Sequence, residues 1–256
     1  MRKTVLITGA TSGIGEATAI KFAEATYRLI ITGRRKDRLN DLTEHLVQEY
    51  GTDVLPLCFD VRDNRQVEKH LGNLPEEWQK VDILVNNAGL AAGLGHIDEG
   101  DRDDWDRMID TNVKGLLYVT RTIVPGMVSR QSGHIINISS IAGKEVYENG
   151  GVYCASKHAV DALSKCMRID LLKHGIKVTN IAPGMVETEF SLVRFRGDKE
   201  KAGAVYNGIR PLKGEDVAEA IFYCASLPAH VCINDLVITP TAQAGVNHSI
   251  RKKAEI

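Results

Sequence analysis

The chain has 256 residues, 43% hydrophobic and 25% charged, which suits one sizeable globular core. Its 32 Lys and Arg nearly cancel 33 Asp and Glu, for a formal net charge of -1, so no general basic field is present to draw nucleic acid or an anionic membrane. No apolar run approaches the ~20 residues of a bilayer crossing. The five cysteines are scattered without a CxxC pair, and the expectation is a reducing, cytoplasmic setting.

Residues 4–8, Thr-Val-Leu-Ile-Thr, read as a first strand and are too short for a signal-peptide core. Glycines follow, then an Ala-rich helix to about residue 25. Further strands are expected at 28–32, 54–59, 83–85, 134–138, 176–181 and 236–238. Helices are expected at 35–50, 105–129, 152–174 and 215–226, the first with Leu39, Leu42, Leu46 and Val47 on one face. Short apolar strands alternating with helices predict a single α/β domain over residues 1–256, its parallel sheet covered on both faces. The charged, glycine-containing stretch 190–211 reads as a lid or a mobile substrate loop.

Thr8-Gly9-Ala10-Thr11-Ser12-Gly13-Ile14-Gly15 joins the first strand to the first helix. Glycines there allow a tight turn and close approach to a pyrophosphate, and the helix start offers free N–H groups and partial positive charge. The spacing is GxxxGxG rather than GxGxxG. Strand two ends in Thr32-Gly33-Arg34-Arg35, without the carboxylate that would hold a ribose 2′-hydroxyl. Two guanidiniums suit a 2′-phosphate instead, so Arg34 and Arg35 predict NADP(H) over NAD(H).

Tyr153 and Lys157, at i and i+4, share a face of the helix expected at 152–174. A phenol titrates near ~10, and a neighbouring ammonium lowers that value, so such a Tyr can exchange a proton with a carbonyl or alcohol oxygen. Ser140 ends the strand at 134–138, where its hydroxyl faces the ligand crevice of an α/β fold and can steady the reacting oxygen. Asn86-Asn87-Ala88-Gly89 follows strand four in the same way, and Asn112 falls on the long helix.

With the loop at 8–15, Asp60, residues 86–89, Asn112, Ser140, Tyr153, Lys157 and Pro183-Gly184 in that order, the chain resembles the short-chain dehydrogenase/reductase family over essentially its whole length. The resemblance implies a doubly wound, Rossmann-type domain with a seven-stranded parallel sheet. It implies that Tyr153 is the general acid/base, that Ser140 positions the substrate oxygen, and that Lys157 holds the nicotinamide ribose and lowers the Tyr153 pKa. Asn112 would support a water-linked proton relay. Gly9, Thr11, Ser12, Gly13, Ile14 and Gly15 would cradle the dinucleotide. Asp60 and Val61 would meet the adenine, and Asn87, Ala88 and Gly89 the cofactor ribose. Pro183, Gly184, Val186 and Thr188 would meet the carboxamide. A homotetramer is implied as well.

Residues 186–197, the stretch 234–241 in place of a Gly-rich tail, and the double Arg look like the NADP-dependent 3-hydroxy acid dehydrogenases. That resemblance implies small-molecule substrates such as serine, allo-threonine and 3-hydroxypropionate or malonic semialdehyde. Arg194 or Arg196, on the expected lid, is the candidate partner for a substrate carboxylate. The alternatives are a reductase of another small aldehyde or ketone, such as sulfoacetaldehyde, and a non-catalytic NADP-binding regulator. The eight histidines lack metal-site spacing, so no metal is expected. Cys154, Trp78 and Trp105 read as packing residues, and Arg251-Lys252-Lys253 as a short solvated run.

Overall fold

Period-two alternation along apolar strands sets the architecture. The computed structural model describes residues 2–252; Lys253, the last of the expected basic run, lies outside the described residues. Seven strands form one sheet: β1 (Thr4–Ile7), β2 (Arg28–Gly33), β3 (Val54–Cys58), β4 (Ile83–Asn86), β5 (Gly133–Ile138), β6 (Ile176–Pro183) and β7 (Asp235–Ile238). Their order is β3-β2-β1-β4-β5-β6-β7, with every pairing parallel.

Val5, Ile7, Leu29, Ile31, Ile83 and Val85 face one side of the sheet, and Leu6, Ile30, Leu84 and Ile135 face the other. The first side is covered by α1 (Gly13–Glu24), α2 (Lys36–Tyr50) and α9 (Gly214–Ser226) through Phe22, Leu39, Leu46 and Ile221. The second is covered by α3 (Asn64–Leu71), α5 (Leu116–Arg130) and α6 (Gly151–Asp170), using Val67, Val119, Met127 and Met167. Each fully buried aliphatic side chain stabilises such a core by roughly 1.5–3 kcal/mol relative to exposure. On α2, Val47 departs from the expected face: it is exposed, while Leu39, Leu42 and Leu46 are buried.

The helix expected over 105–129 is three pieces: α4 (Arg102–Ile109), a wide π-helical turn at Asp110–Gly115, and α5. Asn112, in that turn, accepts from the Leu90 N–H and donates to the Leu90 carbonyl, each at 2.8 Å. A local bulge of this kind turns a side chain inward, and a 3.6-residue pattern does not reveal it. The helix expected over 152–174 ends at Asp170, with a separate tight turn at Leu172–His174 closed by Gly175 at φ +66°. The stretch 190–211 holds two short helices, α7 (Phe190–Arg194) and α8 (Lys199–Ala204). Ser191 Oγ and Tyr206 Oη lie 2.7 Å apart, tying this stretch to itself. Among the described residues no helix is long and apolar enough to cross a membrane.

The chain runs outward from β1 to β3, then returns to place β4 on the other side of β1. That reversal opens a crevice at the carboxyl ends of β1 and β4, where doubly wound sheets take ligands. A third apolar cluster, with Leu90, Met108, Ala142, Tyr153 and partly buried Phe190, roofs one end of it.

Candidate active site

The crevice is a cavity of about 730 Å³. Every residue expected at the cofactor lines it apart from Gly15. Gly15 lies beneath the loop, where a Cβ would run into the Gly9 carbonyl and sit 2.5 Å from Asn87 Nδ2. Gly9 itself has φ +68°. The chain therefore folds back on itself here only because both positions lack side chains. Ser12 is the N-cap of α1 but makes no side-chain cap bond, which leaves the first N–H groups of a 12-residue helix facing the cavity. Asn87 Nδ2 donates to the carbonyls of Thr8 (2.9 Å) and Gly9 (3.2 Å), so this side chain braces the loop. Together these features fit a dinucleotide with its pyrophosphate on α1.

At the end of β2, Arg35 Nη2 donates to Ser12 Oγ (2.7 Å) and to the Thr11 carbonyl (3.1 Å). Its Nη1 donates to Glu189 (2.7 Å). Arg34 is half-exposed and only loosely paired with Asp60, at 3.7 Å. Burial pushes the Asp60 carboxyl up, but hydrogen bonds from Arg62 and the charge of Arg34 outweigh it and hold the group below the usual carboxylate range. Arg38, one turn beyond Arg35 on α2, also reaches Glu189. Its i, i+3 spacing from Arg35 was the available signal for this second cation.

The first two turns of α6 bring Tyr153 and Lys157 to the cavity, both buried. Lys157 Nζ donates to the Ile138 carbonyl at 3.0 Å and lies 5.9 Å from the Tyr153 ring centroid. Burial pushes the Lys157 ammonium down to about 8. Burial also dominates Tyr153, whose hydroxyl titrates well above the ordinary phenol value. The influences that lower it are a hydrogen bond with Ser140 and the charge of Arg194, and Lys157 is not among them. In this structure the Lys157 ammonium is turned to a backbone carbonyl. Ser140 Oγ accepts from the Ala142 N–H (3.1 Å) and donates to the Pro183 carbonyl (3.4 Å). Asn112 lies outside the cavity lining, donating to Leu90 and to Ser156 Oγ (3.0 Å). It meets the site through Leu90, which lines the cavity, and across Gly89, whose added Cβ would sit 3.3 Å from Asn112 Oδ1 and 3.4 Å from Lys157 Nζ.

A second cavity of about 760 Å³ adjoins the first, and Tyr147, Tyr153 and Arg194 line both. Arg194, at the end of α7, donates to Tyr147 Oη (2.9 Å) and to the Gly93 carbonyl (3.2 Å). Its guanidinium lies 5.7 Å from the Tyr153 ring centroid and, among the described residues, pairs with no carboxylate. Arg196 is different: it is exposed and bound to Asp101 (2.6 Å) and Asp104 (2.9 Å). The structure thus separates two arginines that the sequence left equivalent. Tyr147 and Phe190 were not anticipated; Phe190 packs edge-on to Tyr153 at 5.7 Å between centroids, and the irregular segments that carry these two residues have no periodic signal. Among the described residues no cluster of His, Cys, Asp or Glu is placed to hold a metal ion.

Relatives carry the same full-length pattern. An NADP-dependent 3-hydroxy acid dehydrogenase of Salmonella typhi is 47% identical over 249 residues, 97% of this chain and 99% of its own. Sulfoacetaldehyde reductase 2 of Chromohalobacter salexigens is 47% identical over 245 residues, 95% of this chain and 96% of its own. A closed form of serine dehydrogenase complexed with NADP+ superposes with a TM-score of 0.92 at 45% identity, covering 98% of this chain and 100% of that one. The family model described as short chain dehydrogenase matches residues 3–198, a span that holds the glycine loop, Ser140, Tyr153, Lys157 and Arg194. By fold, crevice and sequence together, the chain belongs to the short-chain dehydrogenase family.

Proposed function

We propose that this chain, an NADP-dependent oxidoreductase, oxidises the 3-hydroxyl of small 3-hydroxy acids such as serine, allo-threonine and 3-hydroxypropionate, or reduces the corresponding semialdehyde. The observation that carries this reading is Arg194: a half-buried guanidinium beside Tyr153 that pairs with no carboxylate among the described residues. An anion bound there places its neighbouring carbons over Tyr153, and guanidinium–carboxylate hydrogen bonds are strong and directional. The 3-hydroxy acid dehydrogenase and serine dehydrogenase relatives support the same substrate class.

Bound NADP supplies the ring that takes or gives the hydride. The chain's own residues do the rest. Ser12, the α1 N-terminus and Arg34 and Arg35 hold the phosphates. Asp60 and Val61 take the adenine end, and Gly184, Val186 and Thr188 the carboxamide end. Ser140 hydrogen-bonds the reacting oxygen. Tyr153 takes the proton from the alcohol in oxidation and returns it to the carbonyl oxygen in reduction. Lys157 holds the ribose, while the charge of Arg194 favours the phenolate against burial. Asn112 acts behind Lys157 in proton supply.

A second reading has one observation in its favour. The sulfoacetaldehyde reductase relative is as similar as the 3-hydroxy acid dehydrogenase, and a sulfonate presents Arg194 with comparable chemistry. We also infer a homotetramer, supported by apolar Leu117 on α5 and Ile169 on α6 standing exposed. Cytoplasmic residence suits the five free thiols.

The test is a substrate survey followed by NADPH absorbance, with serine, allo-threonine, 3-hydroxypropionate, a sulfonated alcohol and uncharged alcohols. Carboxylate substrates are expected to lead in kcat/KM. An uncharged alcohol that matches them would defeat the proposal, and a leading sulfonate would establish the second reading.

A further inference from the structure

Arg35 and Arg38 converge on a single carboxylate. Arg35 Nη1 donates to Glu189 Oε2 at 2.7 Å, and Arg38 Nη1 donates to Glu189 Oε1 at 2.6 Å and Oε2 at 2.7 Å. The same Arg35 guanidinium is bonded to Ser12 Oγ and Thr11 on the glycine loop. Glu189 is thus held at the polar end of the crevice, among the groups best suited to a phosphate.

Glu189 also opens α7. Its carbonyl accepts from the Val193 N–H at 3.0 Å. The next residue, Phe190, packs on Tyr153, and the helix ends at Arg194 over the same ring. Little more than one helical turn connects Arg35 and Arg38, the Tyr153 ring and the cation at the substrate end.

A phosphate monoester carries about −1.5 to −2 charge at neutral pH and seeks the same N–H donors as a carboxylate. Two anions on one pair of guanidiniums repel, so one must yield. We propose that Glu189 is a specificity-determining residue: it is a stand-in anion on Arg35 and Arg38 that the 2′-phosphate of NADP(H) displaces, freeing the start of α7 above the active site. NAD(H), which has only a hydroxyl there, leaves Glu189 in place. The inference rests on the reading that Arg34 and Arg35 face that phosphate.

Two measurements test it. In fluorescence titrations, Glu189→Gln should tighten NADPH by about fivefold, the scale of partly exposed ion pairs, and leave NADH within about twofold. In amide hydrogen exchange, 2′,5′-ADP should quicken residues 190–194 of the unmodified protein while 5′-ADP does not, and Glu189→Gln should exchange quickly with either. Unchanged NADPH affinity in Glu189→Gln, an equal change for both cofactors, or identical exchange with the two nucleotides overturns the role of Glu189. Equal binding of NADPH and NADH by the unmodified protein overturns instead the assignment of Arg34 and Arg35.

Discussion

Arg194 lies over Tyr153, 5.7 Å from guanidinium to ring centroid, and its charge lowers the titration of that hydroxyl. The two residues come from α7 and α6, yet they meet where the two cavities join. On the proposed function, one side chain would both take an anionic substrate and acidify the group that moves the proton.

Replacing Arg194 by Ala should raise KM for serine about 10- to 100-fold, the scale of a lost hydrogen bond to a charged group, with a much smaller change for an uncharged alcohol. Because a cation beside the phenol is also lost, the Tyr153-dependent limb of the kcat/KM profile should move to higher pH. Steady-state kinetics across pH on both substrates checks this. Equal KM changes would remove Arg194 as the anchor.

Tyr153→Phe should cut kcat by at least about 100-fold, since it deletes the only hydroxyl that can transfer the proton at that position. NADPH affinity, read by fluorescence titration, should stay within about threefold, because Lys157, the glycine loop and Arg34 are untouched. Near-normal turnover would refute the proton-transfer assignment.

Arg34 is half-exposed and its only ion pair among the described residues is long, at 3.7 Å, so it is free to turn to a 2′-phosphate. Arg34→Ala should weaken NADPH by about tenfold, the effect of one charge-assisted hydrogen bond, and leave NADH nearly unchanged. Dissociation constants for both cofactors decide it; parallel losses would mean that the residue supports the loop and not the phosphate.

His134 gives a stability prediction. It is buried in β5, its Nε2 2.8 Å from Thr179 Oγ1, and its Nδ1 has no partner among the described residues. Burial, helped by Lys177 and Lys3, pushes its pKa from 6.5 down to about 3. Between those values the unfolded chain binds a proton that the fold refuses, so its contribution to stability is intact above pH ~6.5 and falls as acid approaches pH ~3. Urea midpoints from pH 7 to 4 should fall, and His134→Gln should flatten the decline. Identical slopes would assign the acid sensitivity elsewhere.

The seven strands, their parallel pairing and the crevice at their carboxyl ends were legible because short apolar runs alternating with helical patterns, and glycine turns, are local properties of the chain. Tyr153 and Lys157 were legible for a similar reason, since i, i+4 spacing places two side chains on one helix face wherever the helix lies. Three features needed the assembled fold. The helix at 105–129 is broken at Asn112 because its amide bonds Leu90 across the molecule. The stretch 190–211 holds two helices too short to be stable alone, the first of them packed on Tyr153 through Phe190. The fates of Arg194 and Arg196, two residues apart, are set by whether a Tyr hydroxyl or a pair of carboxylates lies within reach. Local spacing thus determined the scaffold and the pairing of Tyr153 with Lys157 on one helix face. Which charges remain free to meet substrate and cofactor was decided by contacts between distant segments, because an ion pair forms wherever the fold brings opposite charges together, and no sequence interval records that distance.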